Sequence, residues 1–180
     1  MTITDTSDSA ADTNEKKEPL WLLKSASAPK LGKNSEGKIH YQILTTEARV
    51  EPAIQIVSND GGGYHSKELV PFHKIEECVS PLSNGEAFAS KALQAAYTGR
   101  SSNNAGFLAA ILRNEGLLAL APDTEGRHII AGDWGNWQSA LLAEPGRLIE
   151  SEPAPANSKA STDQSGQSPN KSTDKANRKK

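Results

Sequence analysis

Four histidines, His40, His65, His73 and His128, and one cysteine, Cys78, are the side chains best suited to hold a metal or to serve as base and nucleophile. Their spacing argues against both uses. No pair falls at i, i+4 or in a CxxC arrangement, the spacings that let two ligands converge on one ion. His73 and Cys78 are five residues apart, which does not suit one helical face. Cys78 also continues an apolar stripe with Phe72, Ile75 and Val79, and a thiol buried in such a stripe is inert. Glu76 and Glu77 are adjacent, so on a helix they point apart as a solvated face. Asp60-Gly61-Gly62-Gly63 has backbone amides that can cradle a phosphate, but no GK[ST] follows and the next segment reads as a strand, so a hairpin turn is expected. These residues predict no catalytic centre, metal site or cofactor, and hence no enzyme.

A second set of side chains suits nucleic acid. Arg100, Asn103, Asn104, Arg113 and Arg127 lie within 28 consecutive residues. Asparagine pairs with adenine edges, and arginine with guanine or phosphate. Lys30, Lys33 and Lys38, with Lys24, make the segment 24–38 locally basic. Lysines beside the aromatic faces of Tyr41, Tyr64 and Phe72 are the means by which single strands are commonly held. Of these rings, Tyr41 shares a face with Ile39 and Ile43 and is expected in the core. Tyr64, beside the glycine run, is expected to be exposed.

The elements that must position the arginines can be read from periodicity. A helix over about 86–98 would bury Phe88, Ala92, Leu93, Ala96 and Tyr97, with Gly99 as its C-terminal cap. Ser101, Ser102 and Asn103 are natural N-caps for a second helix with Phe107, Leu108, Ile111 and Leu112 on one stripe. Leu117–Leu120 and Arg127–Ala131 flank a turn at Pro122–Gly126, and a last helix carries Trp137, Leu141 and Leu142. This order over residues 86–142 resembles the winged-helix class. The resemblance implies that the second helix enters a major groove and that the hairpin touches phosphate. The charges run against duplex binding: Lys91, Arg100, Arg113 and Arg127 oppose Glu86, Glu115, Asp123, Glu125 and Asp133, a net of −1, and the wing tip is acidic. Winged helices also dock proteins, which asks for no net charge.

Upstream, Lys38–Leu44 and Ala53–Val57 alternate with period 2 and predict strands. Tyr64–Val70 predicts a third strand, and Phe72–Val79 a short helix opened by Pro71. The expected fold is α+β: a small antiparallel β unit over 18–80, then the winged-helix-like unit over 86–145. Residues 1–17 carry Asp5, Asp8, Asp12 and Glu15 against Lys16 and Lys17, an acidic tail. Residues 151–180 hold no Val, Ile, Leu, Met or aromatic residue and have a net charge of +3, a basic tail. Neither can bury enough apolar surface to offset chain entropy, so both are expected to be disordered.

One cysteine permits no internal disulfide, and no basic stretch followed by an apolar one marks the N-terminus, which predicts a cytoplasmic protein. The leading expectation is a non-enzymatic nucleic-acid-binding accessory or regulatory protein that contacts single- or double-stranded DNA. The alternative is an adaptor or inhibitor that docks a protein of a nucleic-acid machine. A homodimer is compatible with either.

Overall fold

The computed structural model describes residues 18–32, 36–82 and 85–149. The two expected tails and Lys33 lie outside the described residues. The architecture is α+β, as the periodicity predicts: a five-stranded antiparallel sheet with helices packed on it, and a separate two-stranded hairpin.

The sheet order is β4 (Leu69–Pro71), β3 (Ala53–Asn59), β2 (Lys38–Thr46), β1 (Leu20–Pro29), β7 (Arg147–Ile149). Strands β2 (Lys38–Thr46) and β3 (Ala53–Asn59) follow their alternation, with Ile39, Tyr41, Ile43, Ile54 and Ile56 all buried. Strand β1 (Leu20–Pro29) pairs along β2, although residues 24–29 show no alternation of large apolar side chains. Its inner positions there are Ala26 and Ala28, too small to register as a hydrophobic period. That smallness lets helix α2 (Asn104–Asn114) lie close across β1 and β2, and Ala28 is fully buried. Bulges at Leu23 and Val57 shift the pairing by one residue each.

Strand β4 is only Leu69–Pro71, and α1 (Phe72–Val79) starts directly after it. Pro71 sits at the N-cap, where its missing N–H costs nothing, and Phe72, Ile75 and Val79 face the core. The helix expected over 86–98 is a 3-10 helix over Ser90–Ala96. It starts late because Phe88 is extended and exchanges two 2.9 Å backbone hydrogen bonds with His128. The tighter winding stacks residues three apart, and Leu93 and Ala96 point inward.

Strands β5 (Leu118–Leu120) and β6 (His128–Ile130) form the hairpin. Helix α3 (Trp134–Ala143) follows, its N-cap Asp133 accepting from Asn136 N at 2.9 Å. The chain then returns to the first sheet: β7 (Arg147–Ile149) pairs with Leu20–Leu22. A three-residue edge strand has no period to read, and nothing in the sequence announces it. One apolar cluster takes in Ile39 and Ile56 from the sheet, Leu93, Leu108 and Ile111 from the helices, and Leu118 from the hairpin, so both expected units share a core. Among the described residues, no helix is long and apolar enough to cross a membrane.

Candidate nucleic-acid interface

Of the strand expected over Tyr64–Val70, only Leu69 and Val70 pair, as part of β4, yet the backbone of residues 60–68 is tied down at several points. Asn59 Nδ2 donates to Gly63 O at 3.1 Å. Ser101 Oγ and Asn103 Nδ2 both donate to Tyr64 O, at 2.7 and 2.9 Å. Ser66 N donates to Asn104 Oδ1, and Gln55 Nε2 to Lys67 O, each at 2.9 Å. Side chains from β3, from the turn before α2 and from the first residue of α2 thus replace a sheet ladder, and residues 63–68 become a strap beside that turn.

Glu68 anchors the far end. Its carboxylate accepts from Thr98 N and Gly99 N at 2.8 Å each, and from the hydroxyls of Thr98 and Ser66. Burial opposes ionisation, but these hydrogen bonds outweigh it and hold the carboxyl down at about 2. The approach is so close that a Cβ on Gly99 would stand 2.6 Å from the Glu68 oxygen. A carboxyl held below its ordinary value of 4.5 stabilises the fold above that pH, and the contribution disappears as pH falls toward 2. Stability followed by urea denaturation should therefore decline over this window in the native protein. In Glu68→Gln the decline should be shallower, from a starting point lower by about 1 kcal/mol, because an amide nitrogen would face N–H donors. Equal acid slopes in the two proteins would contradict the assignment.

The other end of the strap is the Gly61–Gly63 turn, whose three residues have φ of 75°, 77° and 95°, a conformation other residues rarely adopt. Asp60 fixes it to the sheet. Lys38 N donates to Asp60 Oδ2 at 2.9 Å, and Lys30 Nζ donates to Asp60 O. His40 Nε2 lies 3.1 Å from Asp60 Oδ1, and His40 Nδ1 lies 3.0 Å from Ser27 Oγ. The hydrogen bond to His40, with that from Lys38 N, holds the Asp60 carboxyl below the usual carboxylate range. Ser27, His40 and Asp60 have the residue types of a nucleophilic relay, and no sequence spacing announces them. Ser27, however, stands inside a regular strand opposite His40, not on the sharp strand-to-helix turn that exposes a hydrolase nucleophile. The chain of three ties the turn to β1 and β2.

The structure separates the residues singled out from sequence. Lys30 and Asn103 line one shallow hollow with Leu31, Ser102, Gly106 and Phe107, and the Lys30 ammonium sits 5.9 Å from the Phe107 ring centroid. Lys38 and Arg100 are exposed at the same end. Asn104 is fully buried, spent on Ser66 N and Gly99 O, and has no edge to offer a base. Asn103 is half-buried and committed to Tyr64 O. Both asparagines build the strap, and the burial of Asn104 corrects the expectation that it faces outward as a base reader.

Arg113 is about 15 Å farther along α2 at 1.5 Å per residue, on the hairpin side. Its charge, after desolvation, helps to lower the pKa of His128, which is buried against Phe88 and 2.8 Å from Ser90 Oγ. Arg127 is exposed at the base of the hairpin turn, beside exposed Asp123 and Glu125. Tyr41 is in the core and Tyr64 is 78% exposed. Glu68 and the strap it anchors were not legible in the sequence, where residues 64–70 read as an ordinary strand.

Among the described residues, no three His, Cys, Asp or Glu side chains converge as a metal ion would require. Comparison with known protein families, with curated proteins and with solved structures finds no match.

Proposed function

We propose that this protein is a non-enzymatic nucleic-acid-binding accessory or regulatory factor, and that it contacts DNA at the end where the strap meets α2. The observation that supports this reading best is the imbalance of free charge there. Lys38, Lys67 and Arg100 are exposed and Lys30 is half-buried, four cations against three carboxylates, exposed Glu36 and the Asp60 and Glu68 that the fold's own N–H and hydroxyl groups engage. Cations around a fixed loop are the means by which phosphates are held without sequence preference. On the winged-helix-like side, Arg113 and Arg127 stand near an acidic hairpin tip and add less. The proposed setting is the cytoplasm, where the lone thiol Cys78 stays reduced.

Anisotropy titrations of the full chain with labelled DNA at two salt concentrations test this. Affinity should fall steeply with salt. Arg100→Ala should weaken binding and lower the salt slope by roughly one phosphate contact, and Arg113→Ala should change it less. No binding to single-stranded DNA, duplex DNA or RNA at low salt would overturn the reading. It would favour a protein-docking adaptor instead. The feature in favour of that second reading is an apolar groove at the opposite end of the sheet, lined by Leu20, Val50, Ala53, Leu69 and Pro71, with Val50 76% exposed.

A further inference from the structure

We propose that Tyr64 is a base-stacking residue, and that this end of the molecule takes single-stranded nucleic acid in preference to duplex. The inference rests on the nucleic-acid reading above and goes beyond it by naming the form of the ligand and the residue that selects it.

Tyr64 is the most exposed of the large apolar side chains among the described residues, at 78%. An isolated exposed ring is ordinary on a protein surface. This one differs in what lies beneath it. Its carbonyl is held by two side chains at once, Ser101 and Asn103. One residue before it, Gly63 O is held by Asn59, and two residues after it, Ser66 N is held by Asn104. The Asn104 anchor is itself fully buried. The fold therefore spends polar side chains, one of them in the core, on fixing the backbone of a ring that packs against little. A ring held this way meets a planar partner without first paying the entropy of ordering its loop.

The surroundings identify the partner as a nucleobase. Arg100 neighbours Ser101, Lys67 lies three residues along the strap, and Lys30 reaches the turn on the other side. All three are cations suited to the phosphates that flank a stacked base. Next to the ring, the glycine turn is open: a Cβ on Gly62 would meet nothing within 4 Å, so a sugar–phosphate backbone can come close. Single strands offer unstacked faces to such a ring. A duplex keeps its bases stacked on one another and offers a face only at its ends, so the same surface discriminates between the two forms.

The test is a titration of the full chain with a fluorescently labelled unstructured oligothymidine and with a duplex of equal length. The wild type should prefer the single strand. Tyr64→Ala should weaken single-strand binding about tenfold or more, with little effect on the duplex. Tyr64→Phe keeps the stacking face and should restore most of the affinity. Because the ring is exposed, both variants should melt with the wild type, which shows that the loss is not one of folding. Unchanged single-strand affinity in Tyr64→Ala, alongside a clear loss in Arg100→Ala, would overturn the stacking role and leave the phosphate reading standing. A wild type that prefers duplex would do the same. Absence of binding to either form would overturn both.

Discussion

Replacing Glu115 with alanine is expected to cost about 3 kcal/mol of folding stability or more, the largest single effect outside the apolar core. Glu115 is the residue at the C-terminus of α2, and its side chain is 2% exposed. One carboxylate oxygen accepts from the Tyr41 hydroxyl. The other accepts from Lys24 Nζ at 2.8 Å and Trp137 Nε1 at 3.0 Å. Asn114 Nδ2 in turn donates to the Tyr41 oxygen at 2.9 Å. This one side chain therefore connects β1, β2, α2 and α3.

Alanine would leave the buried Tyr41 hydroxyl and the half-buried Trp137 N–H without their acceptor, and unmade bonds of this kind cost more than the net worth of made ones. Lys24→Ala should cost far less, under about 1 kcal/mol, because the Lys24 side chain is 42% exposed and its ammonium can return to water. Equal losses in the two variants would show that the ion pair, not the buried hydrogen bonds, carries the energy. The same network predicts an alkaline limb. Burial, and then the Glu115 hydrogen bond, push the Tyr41 hydroxyl above its ordinary value of 10. Its contribution is thus complete below pH 10 and declines as the pH rises past it.

Arg49→Ala is expected to cost about 2–3 kcal/mol and to loosen the last strand before the rest of the fold. The guanidinium donates to Leu142 O at 2.8 Å and to the carbonyls of Glu144 and Pro145. These are carbonyls at the end of α3 that have no helical partner. The group also lies 5.6 Å from the Trp21 ring centroid on β1. Strand β7 begins two residues after Pro145, so the arginine sets where the chain leaves α3 to join the edge of the sheet.

Hydrogen exchange should show the amides of Arg147–Ile149 losing protection first in the variant. Lysine should recover little, since a point charge cannot fork onto three carbonyls. Arg49 also has φ of 49°, a left-handed backbone that costs a non-glycine residue about 1 kcal/mol. Arg49→Gly should therefore be more stable than Arg49→Ala by about that amount, and the reverse order would refute the strain.

Where side-chain period and backbone conformation agree, the elements were legible. Strands β2 and β3 and helix α1 fall where Ile39, Tyr41, Ile43, Ile54, Ile56 and the Phe72–Val79 stripe place them. The elements missed are those whose signal lies in a partner. The end of β1 is strand because small residues let α2 approach, and β7 is strand because an arginine 98 positions upstream of Arg147 delivers it to the edge. The 3-10 helix is short because Phe88 is taken by His128.

The candidate interface divides in the same way. Composition and spacing alone establish which side chains are available: four scattered histidines without ligand spacing, a glycine turn, a lysine-rich segment at 24–38, arginines outnumbered by nearby carboxylates, and one tyrosine beside the glycines. Folding settles which of these are spent. Asn103, Asn104, Ser101 and Glu68 carry the chemistry to meet a ligand, and the fold uses them to hold the 63–68 strap. The reason is that a polar side chain gives its hydrogen bonds to whatever backbone lies nearest, and here that backbone is 30 to 39 residues away in sequence. No local pattern records such a distance, so only the tertiary structure decides that these four side chains are engaged while Arg100 and Lys67 beside them stay exposed.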